Sequence, residues 1–342
     1  MSYVHSAPRA RPLVVLALTT AFAACLASTA APLRMTNGFT DHRLPCPGRT
    51  YKDWAYSRTF LLNTTATGAG VDRTVKGFPV CLRLSLAALD FSQAQARGQD
   101  LRFSTAEGWP LSYQIERWDS AAGTATVWVK VDVPGDAVTG LVIYWGNPNA
   151  QPASNAQAVF GHCNGFAGVW HLAESPADGQ YGHLDATGNG NNAEPLNFAD
   201  SWLGRTGTEG LLDGADLLDT LNDWLVVRDN DALDPGEELT LSAWVRVRDA
   251  AAMDSAGVIM MHRNRQCRGL PPYSYLFEIG PDMRPSFRWG SVNGRTYGCE
   301  AAAAVPEDRW CYVASTRKAR ALRLYVNGQE STSWAQGRLA GC

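Results

Sequence analysis

From Tyr51 onward, apolar positions recur at every second residue. Val127, Val129, Val131 and Val133 fall on one side, with Trp128, Lys130 and Asp132 on the other. Val80, Leu82 and Leu84 alternate with Cys81 and Arg83 in the same way. Further on, Leu239, Leu241, Ala243, Val245 and Val247 point one way while Thr240, Ser242, Trp244 and Arg246 point the other. A period of two marks half-buried strands, because successive side chains of an extended backbone leave opposite faces. The breaks carry turn chemistry, as in Glu107-Gly108-Trp109-Pro110, Pro134-Gly135-Asp136 and Gly146-Asn147-Pro148. Leu322, Leu324 and Val326 run into Asn327-Gly328, and that pair predicts a two-residue type I′ hairpin turn, which needs positive φ twice. One short helical piece is predicted over residues 86–96. Many short strands and little helix predict an all-β chain of two consecutive β-sandwich modules. The Asn, Pro, Ala, Gln and Ser of residues 147–158 mark the boundary, with modules over 51–150 and 160–342.

The beginning of the chain has a different pattern. Arg9 and Arg11 precede an uncharged apolar run over residues 13–26, and Ser28-Thr29-Ala30-Ala31 offers small residues for cleavage. The run is short of the roughly 20 residues that a spanning helix needs, so residues 1–31 read as a secretory signal. An uncleaved anchor is the alternative, and Phe22-Ala23-Ala24-Cys25 also suggests a lipobox that would lipidate Cys25. Residues 32–50, rich in Pro, Gly and Asn, read as a linker. Membrane attachment is therefore expected only through the N-terminal end.

Removal of the signal takes the net charge from −3 to −5, since it carries two arginines and no acid. A mildly acidic surface without clustered Lys and Arg argues against nucleic acid as a partner. Seven of the eight cysteines follow residue 31, and no Cys-x-x-Cys occurs, which removes support for a zinc or thioredoxin-like motif. In an oxidising compartment some should pair. Cys267 and Cys299 bracket a strand-turn-strand stretch and are the first pair expected to do so. Closing such a loop is worth about 3 kcal/mol.

The first module resembles a bacterial domain of unknown function, number 2341. The resemblance rests on WAYSRTFLL from Trp54, FPVCLRL from Phe78 and GQDLRF from Gly98. PLSYQIE from Pro110, VWVKV from Val127 and YWGNPNA from Tyr144 complete it. The resemblance implies an exported β-module, commonly beside a laminin-G-like domain and sometimes in chains that carry an ExbB/TolQ-type proton-channel domain. The second module resembles a laminin-G-like, concanavalin A-like jelly roll, through GVWHL from Gly168, DATGNGNN from Asp185, LTLSAWVRV from Leu239 and LRLYVNG from Leu322. That family usually continues through two more strands after the Asn-Gly hairpin, whereas this chain ends fourteen residues later. The resemblance therefore implies a C-terminally short domain, either a truncated product or one with an edge left unpaired.

Several residues invite chemistry. The run from Asp185 to Asn192 packs oxygen ligands onto a Gly-rich loop, so Asp185 and Asn189 are candidate ligands for a structural calcium. The alternative is an Asx turn that caps its own backbone. Gly188-x-Gly190-x-x-Ala193 matches a dinucleotide fingerprint only nominally, because no strand precedes it and no helix follows. His171 and Glu174, three apart, would lie on opposite faces of a strand, which favours a packed histidine over a catalytic couple. Glu116 and Asp119 flank Trp118 at a polar strand end. The Glu-x-Asp-x-x-Glu strand of jelly-roll glycosidases is nowhere in the chain, so catalysis is not expected. Among twelve tryptophans, Trp128 and Trp244 stand on the polar sides of their strands. They are the candidate ligand-binding residues, because an exposed aromatic patch marks a recognition surface.

Taken together, these features predict an exported, non-catalytic recognition protein of the cell envelope, placed in the periplasm, on the cell surface or in the medium. Its expected partner is a glycan or an envelope or extracellular protein. A polysaccharide hydrolase or lyase on the same fold is one alternative. A periplasmic sensory part of an ExbB/TolQ-type system is the other.

Overall fold

The computed structural model describes residues 15–17, 51–174, 182–196, 198, 205–218, 223–234, 236–250, 253, 256–263, 273–290 and 296–333. They form two compact units, one containing residues 21–169 and 185–190, the other residues 1–20, 170–184 and 191–342. The isolated strand Val15–Ala17 (β1) belongs to the second.

The first unit holds Tyr56–Asn63 (β2), Val75–Ser85 (β3), Arg102–Thr105 (β4), Tyr113–Asp119 (β5), Thr124–Val133 (β6) and Val138–Trp145 (β7). They make two antiparallel three-stranded sheets, ordered β2-β7-β4 and β3-β6-β5. The alternating residues of both sheets share one core, with Phe60, Leu62, Leu141, Ile143 and Phe103 against Val80, Leu82, Val127, Val129 and Val131. The expected helix over residues 86–96 is replaced by one 3-10 turn, Phe91–Gln93, capped by the side chain of Asp90 on Ser92 N–H. Helix forms instead inside the expected boundary. Ala156–Phe160 (α1) starts at Asn155, whose side chain accepts from Ala158 N–H. Residues 151–169 fold with the first unit.

Asp100 holds one end of this sandwich together. Fully buried, it accepts from Gln95 N–H at 2.8 Å through one oxygen. The other oxygen accepts from Gly146 N–H at 2.7 Å and Asn147 N–H at 3.2 Å. The GQDLRF and YWGNPNA blocks, distant in sequence, thus meet at one carboxylate that satisfies three loop amides.

The second unit contains Ala193–Leu196 (β8), Arg205–Glu209 (β9), Gly214–Leu217 (β10), Trp224–Val227 (β11), Glu238–Arg246 (β12), Gly257–Arg263 (β13) and Tyr273–Ile279 (β14). Pro285–Gly290 (β15), Thr296–Ala301 (β16), Cys311–Lys318 (β17), Ala321–Val326 (β18), Gln329–Glu330 (β19) and Thr332–Ser333 (β20) follow. A seven-stranded sheet runs β19-β18-β17-β12-β1-β10-β9, and a five-stranded sheet runs β13-β14-β15-β16-β20. The core between them joins Leu241, Ala243, Val245, Val313 and Leu324 of the first to Phe277, Ile279, Phe287 and Cys299 of the second. β8 and β11 form a separate two-stranded ribbon. The predicted hairpin is present: Val326 pairs with Gln329, and Asn327 and Gly328 have φ of 51° and 82°.

Two features of the strand ends were not read from the sequence. After the hairpin the chain crosses to the other sheet, where β20 pairs with β16 at Glu300 and Ala301. The edge of β16 is therefore covered over those two residues. In addition, β1, from within the apolar leader run, pairs with Asp216 and Leu217 of β10 on one side and with Trp244, Val245 and Arg246 of β12 on the other. The rest of residues 1–50 lies outside the described residues.

Candidate binding site

Trp128, an expected ligand contact, does not face solvent. It is 5% exposed, packs edge-on against Phe160 at 5.5 Å and donates its indole N–H to Glu116. Helix α1 covers the side of β6 that alternation alone marks as open, so both faces of this strand are buried. Trp244 is half-buried, 5.2 Å from Tyr312, which is its cross-strand partner. With Trp310 it packs beside Ala215 and Leu217 as a small apolar cluster. In the first module, Trp109 is the aromatic most open to solvent, at 71% exposure in the Thr105–Pro110 turn.

The Asp185 loop adopts the self-capped geometry. One carboxylate oxygen accepts from Val169 N–H at 3.1 Å, Thr187 N–H at 3.0 Å and Thr187 Oγ1 at 2.8 Å. The other accepts from Thr187 Oγ1 at 2.7 Å. Asn189 donates its amide to the carbonyls of Phe166 and Ala167. The Asp185 oxygens are thus already committed to the chain's own donors, and a calcium ion would have to displace them. Among the described residues, no three His, Cys, Asp or Glu side chains are disposed to hold a metal. Cys267, the expected partner of Cys299, lies outside the described residues, and Cys299 itself is unpaired. Cys81, Cys163, Cys299 and Cys311 are free thiols. Burial pushes Cys81 and Cys299 up to about 12 and Cys311 up to about 11, which keeps them as unreactive thiols at neutral pH.

Glu174 pairs with His183 rather than with His171. His183 is fully buried in the second unit, with Nδ1 3.3 Å from Glu174 Oε2 and Nε2 3.0 Å from Asp216 Oδ2. Burial alone would lower its pKa, but the carboxylates of Asp216 and then Glu174 outweigh it and hold the imidazole up at about 9. An imidazolium donates from both nitrogens, so it can answer two carboxylates at once. The cluster ties residues 174 and 183 to β10. At the same place Gly214 admits the crossing chain, since a Cβ there would lie 2.4 Å from Ala173 Cα. Its chemistry is structural: sealed from solvent, the imidazole is out of reach of a substrate. Glu116 and Asp119 also have local roles, on the Trp128 indole and on Ala122 N–H.

The open chemistry gathers at one rim of the second sandwich. Cross-strand register places His262 beside Tyr275, Tyr275 beside Trp289 and Trp289 beside Tyr297, so four rings share one level across β13, β14, β15 and β16. His262 and Tyr275 stack at 5.3 Å with planes 22° apart. Beneath this row, Phe277 and Phe287 continue the same face into the core. Tyr275 is buried, and its phenol is pushed up by burial and then by the Asp234 charge. At the far edge Tyr297 is 49% exposed, beyond the two residues that β20 covers. The His262 end is acidic, with Nε2 3.6 Å from Asp229 Oδ1 and 3.5 Å from Asp234 Oδ1. From the opposite sheet Arg317 lies over Trp289, 3.7 Å from the ring centroid. Elsewhere in this unit the β8–β11 ribbon carries an exposed apolar pair, Trp224 (47%) opposite Leu196.

Sequence reasoning singled out Trp128 and Trp244 among the twelve tryptophans and did not assemble this rim. The row is a product of register: its members are thirteen, fourteen and eight residues apart, and no fixed motif spacing encodes that.

Two stacked pairs of antiparallel sheets, the second closed around one shared core, define a tandem β-sandwich protein whose C-terminal module is of the jelly-roll class. In agreement, residues 97–173 match the family model described as a domain of unknown function (DUF2341). Residues 219–337 match that of the concanavalin A-like lectin/glucanases superfamily. No curated protein and no solved structure shows a significant match. A domain of the second class supports a carbohydrate- or protein-binding role in general.

Proposed function

We propose that this is an exported, non-catalytic glycan-binding protein of the cell envelope that holds its ligand at the aromatic rim of the second module. The observation that carries the reading is the register-aligned row of His262, Tyr275, Trp289 and Tyr297, with Tyr275 buried, His262 and Trp289 partly buried and Tyr297 open to solvent. Sugar rings present C–H faces that pack on flat aromatic side chains, while carboxylates and a guanidinium at the rim accept from and donate to hydroxyls. Two carboxylates of this rim, Asp229 and Asp234, lie beside His262 at one end of the row. That arrangement suits the orientation of a ligand along the row. The N-terminal pattern of Arg9, Arg11 and an apolar run supports export.

A glycan array probed with the purified protein tests this reading. Retention of one or more oligosaccharides, with no new reducing ends after prolonged incubation, is the expected result. Release of reducing ends would assign the rim to a hydrolase or lyase instead. N-terminal sequencing of the exported protein should begin after residue 31.

A further inference from the structure

We infer that the rim selects acidic glycans, those whose sugar rings carry carboxylates, and that Arg317 is the residue that selects them; this rests on the glycan-binding reading above. Arg317 is on the core-facing side of β17, between Leu239 and Leu322 in cross-strand register, and is half-buried. One guanidinium nitrogen donates to the Gly236 carbonyl at 2.6 Å, and the plane rests over Trp289. Among the described residues no carboxylate lies within ion-pair distance of it. Glu237 is near enough to act through its charge but does not pair. Two other partly buried arginines of this unit are matched: Arg246 has Asp308 at 2.7 Å and Arg288 has Glu278 at 3.1 Å.

A guanidinium drawn partly out of water without an anion is costly, and burial accordingly lowers its proton affinity. Its remaining donors form a planar fork whose geometry matches a carboxylate bidentately. Tyr297 is the cross-strand neighbour of Trp289, the ring that Arg317 covers. A uronic acid stacked on Tyr297 would therefore bring its carboxylate to the side of the row where Arg317 stands. At the other end, Asp229 and Asp234 would repel a second carboxylate, which gives the ligand one orientation along the row.

The test compares polygalacturonate fragments with their methyl-esterified form, which keeps the ring and removes the charge. Wild-type full-length protein should bind the acid form at least tenfold more tightly, with an advantage that shrinks as salt rises. Arg317→Gln should abolish the difference, and Arg317→Lys should keep part of it, which separates charge from any effect on folding. Tyr297→Ala should weaken both forms. Equal binding of the acid and ester forms, or an unchanged preference in a folded Arg317→Gln protein, overturns the inference while glycan binding stands. Preference for neutral glycans on the array does the same. Failure to retain any glycan overturns both readings.

Discussion

At the scale of single residues, burial decides which titratable groups are held for structure. His183, between Glu174 and Asp216, keeps a folded pKa of about 9 against an unfolded value near 6.5. The charged form is the one the fold favours. Its contribution, on the order of 3 kcal/mol, is fully present below pH 6.5 and is lost as pH rises through 9. Glu174 acts in the opposite range, since the His183 bond lowers its pKa despite burial, and its contribution is lost as the pH falls. Thermal melts between pH 6 and 10 should show stability declining across that window. His183→Gln should be less stable at pH 6 and nearly flat above it; a parallel decline in the variant would assign the effect elsewhere. None of this was legible in the sequence, because His183, Glu174 and Asp216 are brought together by a chain crossing that the fold of β10 creates.

At the scale of elements, alternation was the readable signal, and its limits are equally physical. The strands around Val127–Val133 and Leu239–Val247 are where period two placed them, and Asn327-Gly328 turns as its backbone preference requires. What alternation cannot encode is whether something covers the second face. Trp128 was read as open because Lys130 and Asp132 share its side; α1, which starts within the stretch read as the module boundary, buries it. Asp100 gives an element-scale prediction, since it alone ties the amides of Gln95, Gly146 and Asn147. Asp100→Ala leaves three loop donors without that acceptor and should cost about 2–4 kcal/mol, read as a fall in the denaturation midpoint. A shift below 0.5 kcal/mol would show that water replaces it. Strand β1 gives another. It touches β12 at three residues, whereas β17 pairs with β12 at eight. A chain beginning at residue 32 should keep its β-type circular dichroism, while amides on the β10-facing edge of β12 exchange faster than in the full chain.

At the scale of the whole molecule, the two modules divide the work by exposure. The first hides most of its aromatics and joins blocks distant in sequence through buried polar contacts, with Trp109 as its one strongly exposed indole among the described residues. The second presents a row of rings that opens at Tyr297, with Arg317 over Trp289 and, among the described residues, no carboxylate within ion-pair distance of that guanidinium. Fold class and module order were legible because they depend on local pattern. The rim was not, because its residues converge only through strand register.

The most direct measurement is a calorimetric titration of the tightest array glycan into wild-type, Tyr297→Ala and Trp109→Ala proteins. The account requires Tyr297→Ala to lose at least tenfold in affinity, about 1.4 kcal/mol, with Trp109→Ala unchanged. The reverse pattern, an intact Tyr297→Ala affinity and a weakened Trp109→Ala, would move binding to the first module and contradict it.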